Sequence, residues 1–110
     1  MAFVRKKVKT FKWPVKVKEP SADRPGEFDT FEFVAVFKRV KLSEIEKMGE
    51  DSGLPLLKKV LVGWEAIEDE DGNAVPFSLK ELEFFSDDVD WLKAVLTAYT
   101  NTYAEGEAGN

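Results

Sequence analysis

At 110 residues, 44% hydrophobic and 34% charged with a formal net charge of −5, the chain has the make-up of one soluble folded domain with a modest core, not of a disordered segment. It contains no cysteine and no histidine, which excludes disulfides, thiolate metal sites, thiol nucleophiles, and the commonest general base and zinc ligand. The basic start MAFVRKKVKT is not followed by an apolar secretory segment, and no apolar run is long enough to cross a bilayer, so a cytoplasmic protein is expected.

Charge is segregated along the chain. Arg5, Lys6, Lys7, Lys9, Lys12, Lys16 and Lys18 occupy the first eighteen residues without an acid among them. From Glu65 onward, Lys80 and Lys93 are the only bases against twelve acids. Residues 1–9 are therefore expected to be a basic arm, 10–103 a single domain, and 104–110, AEGEAGN, a frayed tail. The basic stretch is read as a lysine-edged strand, a device that discourages sheet-to-sheet aggregation.

TFKWPVKVK alternates with period two, Phe11, Trp13, Val15 and Val17 on one face and Lys12, Pro14, Lys16 and Lys18 on the other. Pro14 has no amide hydrogen to give a ladder, which puts this strand at an edge. EPSADRPGE reads as a loop. FDTFEFVAVFKRV alternates again, with Phe31, Phe33, Ala35 and Phe37 opposite Thr30, Glu32, Val34, Val36 and Lys38. An antiparallel hairpin is the simplest pairing and would bring Asp29 or Glu32 near the lysine row. Its aromatic face needs a helical cover, and Val34 and Val36 need cover of their own.

Ser43 to Glu46 fits a capping box opening a short helix that Gly49 ends or bends. Leu57, Val60 and Leu61 in LPLLKKVLV recur at helical spacing as far as Gly63. Trp64 to Glu68 reads as a short extended segment entering a reversal at Asp71-Gly72-Asn73, where glycine supplies positive φ. Ser78 to Glu81 is a second capping box, opening a short helix through Phe84. Ser86 is expected to cap the last helix, with Asp87, Asp88 and Asp90 in its first turn and Val89, Leu92, Val95, Leu96, Tyr99 and Tyr103 as its core stripe. The expected class is α+β: a small single domain whose N-terminal antiparallel hairpin or sheet packs against several C-terminal helices.

Candidate chemistry is sparse. Glu68 to Asp71 resembles part of a calcium loop, but aligning on Gly72 puts Ile67 at position one and Ser78 at position twelve, where the bidentate glutamate belongs. A solvated acidic turn explains it better. Paired carboxylates carry almost no information in so acidic a chain, the serines have roles as helix caps, and neither phosphate-loop pattern is present. No catalytic, cofactor or metal residues are assigned, and an enzyme is not expected. The aromatic set offers more. Phe84 and Phe85 are adjacent, so a helix points them about 100° apart, and full burial of both is not expected. An exposed apolar patch marks a protein partner. Phe84, Phe85 and Trp91 are the candidate contacts.

Several stretches together resemble a family of bacteriophage tail assembly chaperones. They are WPVKVKEP, the phenylalanine-rich strand ending FKRVKLSEIE, VLVGWEAIEDEDGNAVPFSLKEL, and KAVLTAYT, in that order over residues 11–103. The most specific part is Gly63-Trp64, then Asp71-Gly72-Asn73, then Pro76-Phe77-Ser78, with Ala98-Tyr99 downstream. The resemblance implies a protein made in the bacterial host during infection by a long-tailed phage or from a prophage. Such proteins bind the tape-measure protein, keep it soluble, help recruit tail-tube subunits, and are absent from the mature virion. It also implies a longer frameshifted form of the same chain and is compatible with self-association. Residues 62–78 then become a scaffold connection anchored by Trp64 and Phe77. The rivals are a minor structural tail protein and a nucleic-acid-binding module using the basic segment. Net negative charge and the lack of a base-reading motif weigh against nucleic acid.

Overall fold

Two long alternating segments pair first. The computed structural model describes residues 9–40 and 53–108, with side-chain environments through Thr102. Strands β1 (Thr10–Pro20) and β2 (Phe28–Lys38) form an antiparallel hairpin, and a third strand, β3 (Leu61–Glu65), pairs with the far side of β2. The order β1-β2-β3 makes β1 an edge strand, as Pro14 requires. Among the described residues three helices follow or interleave: α1 (Gly53–Val60), α2 (Leu79–Ser86) and α3 (Val89–Ala108). The α3 helix lies against β1, α1 against β2 and β3, and α2 touches both other helices. The chain is an α+β domain with a three-stranded sheet covered on one face.

The register turns the sequence alternation into packing. Phe11 faces Phe37, which faces Leu61; the next row is Trp13, Ala35 and Trp64. Along β2 the inner face thus alternates Phe33, Ala35 and Phe37, and Ala35 leaves room between two indoles. On the outer face Lys12 sits beside Val36 and Glu65 beside Val34. The Lys12–Glu65 ion pair, 2.7 Å long, therefore crosses β2 between the half-buried valines. Among the described residues, their cover is a pair of long charged side chains.

The hairpin loop is tightly tied. The Ser21 hydroxyl accepts from the amides of Asp23 and Arg24, Gly26 turns at φ +81°, and Arg24 pairs with Glu27 and Asp29. Asp29 thus belongs to the loop's arginine and is opposite Glu19, while Glu32 is the residue opposite Lys16.

Several expectations need correction here. The helix expected to run to Gly63 ends at Val60, and Leu61 starts β3. A bulge lies opposite Val36 and Phe37: Leu61 pairs with Phe37 and Gly63 with Val36, so Val62 is extra and points outward. The bulge brings Leu61 and Trp64, three residues apart, to the same inner face, a spacing that looks helical.

Ser86 does not cap the last helix. It is the final residue of α2, buried, and its hydroxyl has no hydrogen-bond partner among the described residues. Asp88 caps α3, its carboxylate accepting from the amides of Asp90 at 2.9 Å and Trp91 at 3.3 Å. Ser86, Asp87 and Asp88 are all competent caps, and packing of Ser86 selects among them. Asp88→Ala should lower stability by about 1 kcal/mol in urea unfolding, and Ser86→Ala by clearly less; the reverse ranking would return the cap to Ser86.

The α3 stripe is Trp91, Val95, Ala98 and Tyr99, with Leu92 and Leu96 at its margin, whereas Val89 is 75% exposed. Trp91 takes the place expected for Val89 because its larger ring removes more apolar surface from water. The helix continues through Ala108, into the segment expected to fray. The Ser43–Glu46 capping box, Gly49, the arm residues before Lys9 and the Tyr103 side chain lie outside the described residues.

Candidate functional site

Residues 62–78 build a clamp around one indole. After Trp64 the chain turns through Ala66, held at φ 66°, and Ile67 receives the amide of Val75 on its carbonyl. Glu68 bridges Ala74, and the Asp69 carboxylate folds back to accept from the amides of Asp71 and Asn73. Gly72 closes the reversal at φ +83°. The acidic run is thus a turn whose first aspartate is occupied by its own backbone, and among the described residues no three carboxylates gather as a metal cage.

This reversal returns Val75 to Trp64, whose Nε1 donates to the Val75 carbonyl at 2.7 Å. Phe77, leaving the turn after Pro76, places its ring edge-on at 4.9 Å. Ser78 then starts α2, its hydroxyl accepting from the Glu81 amide at 3.1 Å. The helix runs on to Ser86, one residue past Phe85, which meets Trp64 edge-on at 5.5 Å. Trp91 of α3 closes the cluster at 6.0 Å from Trp64 and stacks on Phe33 of the sheet.

The structure gathers most of the motif residues in this clamp: Gly63 and Trp64 on β3, Asp71, Gly72 and Asn73 in the turn, Pro76, Phe77 and Ser78 at its exit. Ala98 and Tyr99 are separate, buried on α3, where Tyr99 packs on Phe37 at 5.1 Å.

The candidate partner contacts divide. Phe84 is 70% exposed, Phe85 is half-buried, and Trp91 is only 6% exposed. Trp91 is corrected to a core residue: wedged among Phe33, Trp64 and Phe85, it has little face left to offer. Phe84 touches Phe85 at 5.4 Å, so a continuous run of rings leads from the surface into the core. Leu79 and Val89 add exposed apolar area on the same two helices. Sequence reasoning missed both, because each falls in phase with an apolar stripe whose true centre is rotated.

A second exposed apolar region lies on the hairpin, at Phe28 and Phe31. Phe31 is in phase with the buried face but sits near the hairpin tip. Phe28 is out of phase with Phe31, Phe33 and Phe37, which was the available signal for its exposure. Comparison with protein-family models, with curated proteins and with solved structures finds no match to this chain. No helix among the described residues is long and apolar enough to cross a membrane.

Proposed function

We propose that this chain is a bacteriophage tail assembly chaperone, working in the cytoplasm of the bacterial host. It binds the tape-measure protein, keeps it soluble, helps bring tail-tube subunits to it, and is left out of the mature virion. The ordered motifs across residues 11–103 support the family reading, and one structural observation supports the mode of action: Phe84 stands exposed on a short helix anchored from behind by Phe85. An aromatic side chain held out on a rigid element is the kind of residue that carries binding energy at a protein interface. Lys80, Glu83 and Asp87, all exposed, provide a charged surround that keeps the free protein soluble. The longer frameshifted form of the chain would present the same α2 surface.

Co-expression with a tape-measure protein tests the reading. Phe84→Ser should cut the soluble tape-measure fraction sharply, reflecting a loss of roughly 2 kcal/mol or thirtyfold in affinity. Circular dichroism and the unfolding midpoint should stay unchanged, because an exposed substitution alters stability by less than about 0.5 kcal/mol. Stoichiometric recovery of the chain in purified particles would instead make it a structural tail protein.

A further inference from the structure

The face of α3 that looks toward β1 leaves an open cleft of about 730 Å³ between the helix and the sheet edge. Its apolar lining combines unlike shapes: Trp13 and Phe28 from the sheet and Ala98 from the helix. Phe28 is 61% exposed although it belongs to a strand, so its ring is turned outward beside the cleft with little of its own chain over it.

The rim is basic in an acidic protein. Lys16 and Lys18 line it from β1 and Lys93 from α3, with Asp90 the one carboxylate. Three bases against one acid give a local charge of +2 in a chain of net −5. Two lysines elsewhere are matched, Lys12 with Glu65 and Lys58 with Glu83. Lys16, Lys18 and Lys93 form no ion pair among the described residues, even though Glu32 stands opposite Lys16 in the register. Uncompensated charge around an apolar floor is complementary to a segment that is both acidic and amphipathic.

The sheet edge narrows the choice further. Pro14 and Pro20 have the same parity in β1, and between them only Lys16 and Lys18 share it. Since Pro14 cannot donate into the ladder, this parity is the one that faces away from β2. Two prolines flanking two outward-facing amides interrupt any added strand. The occupant must dock by side chains, as a helix does in a groove.

We propose that the cleft between β1 and α3 is a docking site for an acidic amphipathic helix of a partner protein. Apolar side chains of that helix fill the space between Trp13 and Phe28, and its carboxylates meet Lys16, Lys18 and Lys93. A long polyanion such as nucleic acid is disfavoured, because Asp90 and the net negative charge of the chain repel an extended phosphate backbone.

Fluorescence anisotropy with the full chain tests this. The probe is a labelled synthetic peptide of roughly 18 residues, long enough to be helical, with leucine and glutamate at helical spacing. Controls are the same peptide with lysine for glutamate, and a single-stranded oligonucleotide. The glutamate peptide should bind, and its affinity should fall at least tenfold in Lys16→Glu/Lys93→Glu and severalfold in Phe28→Ser. These residues are exposed, so circular dichroism should show the fold intact. Binding should also weaken as salt rises. Equal binding by wild type and the charge-reversed variant overturns the proposal, and so does preference for the lysine peptide or the oligonucleotide. Dimerisation of the chain alone that Lys93→Glu abolishes would assign the cleft to a second copy and overturn it as well. Phe84 lies on α2, away from this cleft, so loss of tape-measure solubilisation in Phe84→Ser stands or falls separately.

Discussion

Trp64→Ala is expected to lower stability by about 3–5 kcal/mol, the range for removing a large buried aromatic side chain. The physical reason is that three parts of the chain meet on this indole. Phe77, Phe85 and Trp91 lie edge-on to it at 4.9, 5.5 and 6.0 Å, and the Val75 carbonyl accepts its Nε1 proton. Truncation would leave a cavity beneath α2 and strand the carbonyl. Trp64→Phe separates the two contributions: much of the packing stays, the hydrogen bond goes, and a smaller loss of about 1–2 kcal/mol should remain. Urea unfolding at several temperatures measures both. Amide exchange adds a local signature, since Gly72 and Val75 donate to carbonyls inside the clamp and should lose protection first. A loss below about 1 kcal/mol for the alanine variant would mean that the clamp is held by its turn alone.

Phe37→Ala should destabilise by a similar amount, about 3–5 kcal/mol, for a different reason. Phe37 is fully buried in the central strand, flanked by Phe11 and Leu61 and touched by Tyr99 of α3 at 5.1 Å. It therefore joins all three strands to the covering helix. Its loss should lower protection across the whole domain instead of in residues 66–78. Phe37→Leu, which keeps most of the volume, should recover more than half of the loss. Against a typical domain stability of about 5–15 kcal/mol, either alanine variant would be markedly weakened. Protection lost only near β1 in Phe37→Ala would contradict this linking role.

Much of the sheet was legible before any coordinates. The alternation in residues 11–17 and 31–37 carries the hairpin, its buried face and, through Pro14, its edge position. These follow from a period of two and from the chemistry of one imino acid, both local. The third strand was legible only at its end, where Trp64 and Glu65 read as extended; Leu57, Val60 and Leu61 have the spacing of a helix, and the bulge at Val62 is what reconciles Leu61 with a strand. No residue type announces a bulge; it forms because β2 offers a free edge and Leu61 and Trp64 both gain by facing the core.

The candidate site divides in the same way. Adjacency of Phe84 and Phe85 argued against burying both rings fully, and Phe84 is exposed while Phe85 is half-buried. Trp91 could not be placed, since an apolar residue near a helix start fits either of two neighbouring stripes. The cleft beside β1 left no trace in sequence, because its floor joins residues 28 and 98, which meet only after α3 lies down on the sheet edge.

The α+β class, the hairpin and its faces, the Asp71-Gly72-Asn73 reversal and the Ser78 cap follow from local patterns, since each depends on neighbours along the chain. Packing between elements sets where α1 gives way to β3, which of three cap-competent residues opens α3, and which aromatic rings are enclosed. Those outcomes turn on how much apolar surface one element can hide against another, a quantity that exists only when distant segments touch.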